Sequence, residues 1–389
     1  MPDRWPLSEL QTIKRAAVQT ALRCGAADAR VAPADADPAT YEALRASFAR
    51  GDLATWRYDE SYARAAATPE RLLEGAQAVI CVAVPYRRPS PPDAAMRGRV
   101  STYAWSGDYH RRVRAILRDV ARVIDEAAGA CASAIVCDTK PFAERAFAAR
   151  AGLSWTGRNT NAIHPRFGSF VFLGEVVTTL PLPHDPPLRK SCGSCRCCIP
   201  ACPTGALRGD YTIDATRCIS DLTQRKDAIP RALRPLIGTW VWGCDLCQTA
   251  CPPNRRAPMA ADNANAPVED GVASPPLLSL LRMRNSDFKR LYARTAMGWR
   301  GPALLRRNAA VALGNSGDRS AIPALIDALQ NDAHPLVRGH AAWALGRLGS
   351  HRAVEALRSA LESDADASVL EEVRAALEPY GCAAALQAT

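Results

Sequence analysis

The chain has 389 residues, 48% of them hydrophobic and 23% charged, which is ordinary for a globular protein and allows two to four domains. No stretch approaches the ~18 consecutive apolar residues of a membrane helix, and the polar start MPDRWPLSEL lacks the apolar core of a secretory signal, so we expect a cytoplasmic protein without membrane contact. The formal net charge of +10 suits a polyanionic partner such as nucleic acid, although an arginine-rich composition alone also produces it.

Residues 1–185 have the pattern of an α/β domain. Short apolar runs such as Ala78–Val84 predict buried strands, and the amphipathic stretches between them predict helices. Strands separated by helices favour a mostly parallel or mixed sheet that is covered on its faces. The expected helices lie at 8–24, after the Pro/Ala/Asp-rich stretch 32–40, at 109–129 and at 141–150, and the expected strands at 78–84, 134–137 and 169–178.

Cysteines are concentrated in the next predicted domain, residues 186–254. Nine of the fourteen cysteines lie between Cys192 and Cys251, and such clustering in a long chain indicates a metal site rather than a disulfide framework. The run C-x2-C-x2-C-x3-C-P that begins at Cys192 has the spacing of ferredoxins with two [4Fe–4S] clusters, in which the fourth cysteine binds the other cluster. The crossed pattern assigns Cys192, Cys195, Cys198 and Cys251 to one cluster and Cys202, Cys218, Cys244 and Cys247 to the other.

Zinc is the alternative ligand for these cysteines, because it also binds four thiolates, usually through two separated C-x2-C pairs. The run of three closely spaced cysteines and the two Cys-Pro endings favour a ferredoxin-like domain instead. Cys197 is additional to the ferredoxin pattern and receives no role.

The C-terminal part of the chain is repetitive. A polar Pro/Ala/Asn-rich linker is expected over 255–280, after which Ala309–Gly314 recurs as Ala341–Gly346 at an offset of 32 residues. Helix pairs repeated at this length are typical of HEAT-like solenoids. Residues 281–389 are therefore predicted to form α-helical HEAT-like repeats.

Asp138 is the candidate acid of the first domain. It follows the predicted strand over 134–137, and ligands of open α/β sheets bind at the carboxyl ends of strands. A carboxyl group in that place acts as a general acid if burial raises its pKa. An aspartate after a strand is more often a turn or capping residue, so both roles remain open at this point.

Longer motifs around these residues resemble the epoxyqueuosine reductase family. They are D-T-x-P-x-x-E-R-A-x-A-x-x-A-G from Asp138, G-R-N-T from Gly157, Gly168-Ser169, C-I-S-x-L-T-Q from Cys218 and G-C-D-x-C-Q-x-x-C-P from Gly243. The cysteine pattern alone occurs in many ferredoxin-like proteins, but its combination with the Asp138 segment and the repetitive tail is much more specific. The resemblance covers nearly the whole chain.

The resemblance implies a cobalamin-dependent reductase that converts epoxyqueuosine to queuosine at the wobble position of tRNA, the last step of queuosine biosynthesis. It implies that residues 1–185 look like the cobalamin-binding domain of reductive dehalogenases. Two [4Fe–4S] clusters would pass electrons to cob(II)alamin, and Asp138 would donate a proton to the epoxide oxygen. Reductive opening of the ring needs two electrons and two protons, and iron–sulfur clusters reach potentials of roughly −700 mV.

Carried over by position, the resemblance also implies residues that contact cobalamin. One of them, Arg158, stands where the family usually has lysine. Close packing is the alternative explanation for Gly157 and Ala162. The implied contacts are Arg64, Ser101, Asp138, Gly157, Arg158, Ala162, Ser169, Ser220 and Asp245.

Basic residues in the second half of the chain are candidates for binding the phosphates of tRNA. Residues 288–308 hold six basic side chains and no acidic one, and Arg338 lies at a turn between helices, an edge with which solenoids usually bind. A solvated basic face is the alternative. The target base would have to be splayed out of the anticodon loop. The candidates are Lys226, Arg256, Lys289, Arg300, Arg306, Arg307 and Arg338.

Two other functions compete with this interpretation. A corrinoid-dependent reductase or dehalogenase of a small molecule usually carries an export signal and needs neither solenoid nor basic run. A non-catalytic electron carrier or HEAT scaffold would leave residues 1–185 unexplained. We therefore expect a monomeric enzyme that binds an epoxyqueuosine-bearing anticodon stem-loop and receives electrons from a reductase, a flavodoxin or a ferredoxin.

Overall fold

A computed structural model describes residues 5–260 and 271–381. Contacts divide these residues into two compact units that alternate along the sequence. The first unit comprises residues 5–89, 108–216 and 245–260, and the second comprises residues 90–107, 217–244 and 271–381. The consecutive domains 1–185, 186–254, 255–280 and 281–389 remain a prediction, and residues 261–270 of the expected linker lie outside the described residues.

The first unit contains a four-stranded antiparallel sheet. The strands lie in the order β1-β2-β7-β4, and each neighbouring pair runs antiparallel. Their bounds are Asp28–Pro33 for β1, Ala78–Pro85 for β2, Ser133–Val136 for β4 and Val171–Thr178 for β7. Three of these strands confirm the prediction, whereas β1 is too short and too rich in alanine and charge for its pattern to indicate a strand.

The antiparallel arrangement contradicts the expected parallel or mixed sheet. The prediction assumed that every helical connection returns the chain to the same end of the sheet, as in a βαβ crossover. Between β1 and β2 the chain instead forms two helices, α2 (Pro38–Ala49) and α3 (Glu60–Ala66), and so re-enters the sheet in the opposite direction. Strands β2 and β4 do run parallel to each other, but β7 separates them.

Helix α4 (Tyr109–Ala128) covers one face of this sheet. Its buried stripe includes Val113, Leu117 and Val120, which follow the helical period. Strand β7 offers Gly174 beneath this stripe, where an added Cβ would lie 2.5 Å from Val113 Cγ1. The other elements of the unit are α1 (Leu7–Arg23), which packs beside α4, α5 (Glu144–Arg150), β5 (Trp155–Thr156), β6 (Ala162–Ile163), α7 (Leu246–Thr249) and α8 (Pro252–Arg256).

The second unit confirms the predicted helical repeats. Arg306 Nε lies 2.7 Å from Asp332 Oδ2, and Arg338 Nε lies 2.7 Å from Asp364 Oδ2, so the same ion pair recurs in successive repeats. The repeat helices are α11 (Pro302–Ser316), α12 (Ile322–Asn331), α13 (Pro335–Leu348), α14 (His351–Ser363) and α15 (Ala367–Leu377). The unit also contains β3 (Arg99–Val100), α6 (Ile219–Gln224), β8 (Trp240–Trp242), α9 (Leu277–Leu281) and α10 (Asn285–Leu291).

None of the helices within residues 5–260 and 271–381 combines the length and the apolar character that crossing a membrane requires.

Candidate active site

Asp138 lies on a tight turn directly after β4. Its backbone adopts a left-handed φ of 59°, which is strained for a residue with a Cβ atom. The Asp138 amide donates to Glu144 Oε1 at 2.6 Å, and the next residue is fixed by Arg114 Nη2, which donates to Thr139 Oγ1 at 2.6 Å. The turn presents the carboxyl group outward, since the side chain of Asp138 is 60% exposed.

The first residues of α4 bring a phenol and an imidazole to this carboxyl group. Tyr109 donates its hydroxyl hydrogen to Asp138 Oδ2 at 2.9 Å, and His110 Nε2 lies 3.2 Å from the same oxygen. On the other side of the ring, His110 Nδ1 lies 2.6 Å from Asp108 Oδ1. Asp108 also caps α4 by accepting from the His110 amide at 3.1 Å, so the helix cap fixes the imidazole.

These contacts place the proton on His110 rather than on Asp138. The hydrogen bond from His110 lowers the pKa of Asp138, although burial acts in the opposite direction. Burial lowers the pKa of His110, but the hydrogen bonds with Asp108 and Asp138 outweigh it and raise that pKa to about 9. The condition under which Asp138 alone would act as a general acid, a pKa raised by burial, is therefore not met. A single histidine in a sequence does not by itself indicate a catalytic role. The available indication was its position in Asp108-Tyr109-His110, at the start of a long predicted helix.

A column of stacked rings supports the imidazole. Tyr86 stacks on Phe172 at 4.2 Å between ring centroids, and Phe172 stacks on Tyr109 at 4.3 Å. The ring of Tyr109 then stacks on that of His110 at 4.1 Å. The column runs from the end of β2 across β7 to the first turn of α4, so the sheet sets the position of the imidazole.

Four of the predicted cluster ligands belong to the first unit and lie close together. Burial raises the pKa of Cys251 to about 12, and the charges of Cys192, Cys198 and Cys195 raise it further. The Arg158 amide also points at Cys192 Sγ at 3.4 Å, as expected beside a thiolate whose charge is stabilised by N–H donors. Four neighbouring thiols with an N–H donor fit an iron–sulfur cluster, in which each thiolate binds a different iron. In the described part of the chain, no group of three His, Cys, Asp or Glu residues is placed to hold a single metal ion.

The other four predicted ligands are divided between the units. Cys202 and Cys247 belong to the first unit, whereas Cys218, at the start of α6, and Cys244, after β8, belong to the second. Their assignment to one cluster remains a prediction. Cys197 is exposed and stays without a role.

The β5–β6 hairpin carries two of the predicted cobalamin contacts. An added Cβ at Gly157 would lie 2.4 Å from Asn159 Oδ1 and 2.6 Å from Ile163 Cδ1, so close packing alone requires glycine there. Ala162 is buried in β6. At the start of the hairpin, Ser154 Oγ and Trp155 Nε1 are buried polar atoms without a hydrogen-bond partner among the described residues.

Those two atoms bear on the cofactor that the resemblance implies. A buried hydroxyl or indole N–H without a partner costs about 1–3 kcal/mol. The amide side chains of a corrinoid would satisfy both atoms, so the residues present at this hairpin fit cobalamin.

Ser169 and Asp245 belong to a buried hydrogen-bond network. Ser169 Oγ donates to Gln248 Oε1 at 2.9 Å and accepts from Asn254 Nδ2 at 2.8 Å, while Asp245 Oδ1 accepts from Gln248 Nε2 at 3.1 Å. The Ser169 amide donates to Asn254 Oδ1 at 2.6 Å. Gln248 and Asn254 were not predicted as site residues. Gln248 had a signal in the sequence, because it stands inside the second cysteine motif.

The remaining predicted cobalamin contacts bond mainly to protein. Arg158 donates to Gly209 O at 2.5 Å and to Gly193 O at 3.0 Å, so its guanidinium holds the cysteine segment. Arg64 is an exposed surface residue that pairs with Glu60 at 2.8 Å. In the second unit, Ser101 is buried and its amide donates to Trp242 O at 2.8 Å, and Ser220 Oγ accepts from Gln224 Nε2 at 3.1 Å.

The predicted phosphate-binding residues differ in their availability. Lys226, Arg256 and Lys289 are exposed, and Arg300 is half-buried with its guanidinium 3.7 Å from the ring centroid of Trp299. Arg306 and Arg338 are largely buried in the ion pairs of the repeats.

Arg307 is a correction to the predicted RNA contacts. It is fully buried, and its guanidinium donates to the carbonyl oxygens of Leu222, Arg225 and Asp227 at 2.8–2.9 Å. The prediction is wrong because a run of basic residues in the sequence does not show which of them lie on the outer face of α11 and which lie on its packed face.

Comparisons with known proteins agree with these features. A family model described as "4Fe-4S double cluster binding domain" matches residues 191–254, and one described as "HEAT repeats" matches residues 300–378. A third, described as "Epoxyqueuosine reductase QueG, DUF1730", matches residues 67–139. The predicted double-cluster domain and HEAT repeats are thereby confirmed.

Similar proteins cover most of the chain. The epoxyqueuosine reductase of Bacillus anthracis is 37% identical over 277 residues, which are 69% of this chain and 72% of the relative. That of Salmonella typhimurium is 38% identical over 280 residues, which are 70% of this chain and 72% of the relative.

Solved structures of such enzymes superpose on nearly the whole chain, each covering 95% of it and 99% of the solved chain. A selenomethionine-labelled epoxyqueuosine reductase has a TM-score of 0.90 at 32% identity. One bound to an epoxyqueuosine-modified tRNA-Tyr stem loop has a TM-score of 0.88 at 32% identity. One from Bacillus subtilis, whose aspartate-bearing catalytic loop is swung out of the active site, has a TM-score of 0.88 at 31% identity.

Proposed function

The chain belongs to the epoxyqueuosine reductase family, and from that membership we propose that it reduces epoxyqueuosine to queuosine at the wobble position of tRNA. It is an oxidoreductase that acts on tRNA, and it carries a double [4Fe–4S] domain followed by HEAT repeats. The observation that carries the proposed chemistry is the contact of Asp138 with the protonated His110 at the first turn of α4.

Three groups of residues would hold the cofactors. The clusters would be bound by Cys192, Cys195, Cys198 and Cys251 and by Cys202, Cys218, Cys244 and Cys247, as the ferredoxin spacing predicts. Cobalamin would lie against the β5–β6 hairpin with Gly157 and Ala162, where Ser154 and Trp155 offer hydrogen-bond donors. When bound, cobalamin supplies a strongly reducing cobalt centre that receives electrons from the clusters.

Asp138 and His110 would manage the protons of the reaction. Removal of the epoxide oxygen as water consumes two protons: His110 Nε2 holds one beside Asp138 Oδ2, and the other would reach the exposed carboxyl group of Asp138 from solvent. The exposed carboxyl group of Asp138 would touch the substrate and pass this proton to its oxygen. Asp108 keeps the imidazole oriented while Nε2 loses the proton, because its bond to Nδ1 persists.

The Asp138 turn would also move to admit the substrate. In the Bacillus subtilis relative, the aspartate-bearing catalytic loop is swung out of the active site. The turn of this chain is compatible with such movement. The φ angle of Asp138 is strained, its side chain is exposed, and a few hydrogen bonds hold the turn to the rest of the fold.

The exposed basic residues would bind the tRNA backbone. Lys226, Arg256 and Lys289 present free surface charge, and Arg300 lies beside Trp299. We further propose a cytoplasmic monomer, supplied with electrons by a reductase, a flavodoxin or a ferredoxin, in which the predicted range 1–185 carries the chemistry and 281–389 the tRNA contacts.

The test is an anaerobic assay with reconstituted clusters, cobalamin and epoxyqueuosine-containing tRNA. We expect cobalamin-dependent queuosine formation by the wild type, and Asp138→Asn should lower kcat at least 100-fold while cobalamin remains bound. Cobalamin binding without turnover of this tRNA would favour a small-molecule reductase. Failure of a cluster-loaded protein to bind cobalamin would contradict the proposed function.

A further inference from the structure

Glu175 is a buried acid for which the proposed reaction has no use. It lies in the middle of β7, between β2 and β4, and its exposed fraction is 0%. Neither of its carboxyl oxygens meets a hydrogen-bond donor among the described residues. Burial of a carboxylate without a partner is very costly, so the group must be protonated and must have an acceptor.

The candidate acceptor is Glu144 at the start of α5. Glu175 is paired across the sheet with Val136, which ends β4 just before the Asp138 turn, and the charge of Glu144 adds to burial in raising the pKa of Glu175, so the two carboxyl groups face each other. A hydrogen bond between them requires that one carries a proton, since two carboxylates both accept. Glu144 also accepts the Asp138 amide at 2.6 Å through Oε1. The buried strand is thus connected to the catalytic turn through two carboxyl groups.

We propose that Glu144 and Glu175 share one proton and act together as the anchor that holds the Asp138 turn in its catalytic position. Glu175 donates the shared proton to Glu144, and the ionised Glu144 accepts the strained amide of Asp138. Both are positioning residues, because they act on the substrate only through Asp138. The inference rests on the proposed function for the role of Asp138, but the anchor itself rests on the bond from the Asp138 amide to Glu144 and on the burial of Glu175 beside the turn.

The surroundings of the pair favour a single shared proton. Burial raises the pKa of both carboxyl groups, that of Glu144 to about 7, while the bond from the Asp138 amide acts to lower it. A second negative charge is opposed by the burial of both groups, because the charge of Arg145 lowers the pKa of Glu144 but no cation acts on that of Glu175. The titratable or charged groups that face the pair are Cys81 on β2, Cys137 and Asp138 after β4, Tyr62 on α3 and Arg145 on α5.

Hydrogen exchange of the Asp138 amide tests the anchor independently of activity. In cluster- and cobalamin-loaded enzyme at pH 7.5, Glu144→Ala should lower the protection of this amide at least tenfold. Glu144→Gln should keep the protection, because its amide oxygen can accept from Asp138 and its NH₂ group can donate to Glu175. The exposed Glu74→Ala serves as the control. Unchanged protection in Glu144→Ala would overturn the proposal.

The pH dependence of this protection separates a shared proton from simple packing. In the wild type, protection should decline at alkaline pH as Glu175 loses its proton and the two carboxylates repel each other. Glu175→Gln cannot lose that donor, so its protection should persist to higher pH. The same alkaline decline in both proteins would contradict the shared proton. Glutamine is used because it has nearly the same shape as protonated glutamate, so the substitution is expected to preserve the fold.

A double-mutant cycle tests whether the anchor acts through Asp138. Glu144→Ala should lower kcat at least tenfold in the wild type without weakening cobalamin binding, but it should lower kcat no further in the Asp138→Asn background. Equal losses in both backgrounds would refute a positioning role. If the wild type does not reduce epoxyqueuosine in tRNA, the proposed function fails while the exchange measurement still decides the anchor.

Discussion

The imidazole of His110 lies between two carboxylates, Asp108 on one ring nitrogen and Asp138 on the other. Each carboxylate favours the cationic ring, and together they outweigh the cost of its partial burial. The arrangement stores a proton next to Asp138 at neutral pH, while the carboxyl group that faces solvent remains ionised. An exposed aspartate alone would have lost its proton to water.

The raised pKa of His110 predicts a pH-dependent contribution to stability. A histidine whose pKa rises from ~6.5 unfolded to about 9 folded contributes stability that is fully present below about pH 6.5 and lost as the pH rises through 9. His110→Asn should therefore lower the free energy of unfolding by on the order of 2 kcal/mol at pH 6 and by much less at pH 9.5. Urea denaturation of both proteins at these two pH values measures the difference.

The exposed His184→Asn is the matched control and should change the free energy of unfolding little at either pH. If His110→Asn costs the same at pH 6 and pH 9.5, the imidazole is not held as a cation by its two neighbours.

At this scale, the sequence predicts what depends on spacing and misses what depends on burial. The assignment of Cys192, Cys195, Cys198 and Cys251 to one cluster follows from their spacing and stays a prediction, and the charges of the first three raise the pKa of Cys251 in the structure. The roles of Arg307 and His110 depend instead on groups distant in the sequence. Arg307 bonds to the Leu222 carbonyl oxygen and His110 to the Asp138 carboxyl group, and the sequence does not show whether either side chain faces solvent or such a partner.

Among the elements, the turn at Gly168 connects β6 to β7 and carries Ser169 into the buried network. Its φ is +63°, and an added Cβ would lie 1.9 Å from Asn254 Oδ1. Two separate penalties therefore oppose a larger residue, one from the backbone and one from the clash with the asparagine that holds the Ser169 amide.

The two penalties can be separated by comparing glycines. Gly129 ends α4 with φ +68° but has nothing within 4 Å of an added Cβ. Gly129→Ala should cost about 1 kcal/mol from the backbone alone, whereas Gly168→Ala should cost about 3 kcal/mol or more. Thermal unfolding of the two variants measures the difference. Equal losses would show that Asn254 moves aside without cost.

Helices and strands with a strong hydrophobic periodicity are predicted well, but the way the strands are arranged in the sheet is not. Helix α4 and strands β2 and β7 fall within about two residues of the expected bounds. Strand β1 and the antiparallel sheet are missed, because strand direction depends on the path of each connection and local periodicity does not record that path.

For the whole molecule, the count of 49 Lys and Arg residues overstates the number of cations available to RNA. Arg306 is paired with Asp332 and Arg338 with Asp364, and Arg307 is buried with its guanidinium bonded to backbone carbonyl oxygens. We therefore expect the phosphate contacts to come from side chains that remain exposed, and Lys226, Arg256 and Lys289 are the candidates.

Salt dependence distinguishes these two classes of basic residue. The triple variant Lys226→Ala/Arg256→Ala/Lys289→Ala should weaken stem-loop binding and reduce the slope of log Kd against log salt by about two to three. Arg306→Met should lower the melting temperature instead and leave the slope unchanged, because it breaks the pair with Asp332. Titrations at several salt concentrations measure both. An unchanged slope in the triple variant would place the RNA elsewhere.

The order of motifs along the chain is enough to predict the family and its modules, because each motif is local. The alternation of the two compact units is not predictable in this way. Residues 90–107 and 217–244 join the unit of the repeats through contacts distant in sequence, such as the Gly98 amide with Pro275 O and Arg307 Nη2 with Leu222 O. Short motifs contain no record of such contacts.

The column formed by Tyr86, Phe172, Tyr109 and His110 has a thermodynamic consequence for turnover. Each stacked ring has already lost its rotamer freedom during folding, at a cost of the order of 1 kcal/mol per side chain. That entropy is not lost again when a substrate arrives, because the imidazole is already ordered in the orientation that proton transfer requires. The entropic cost of ordering the imidazole is thus incurred once, when the chain folds, whereas a flexible histidine would incur it in every catalytic cycle.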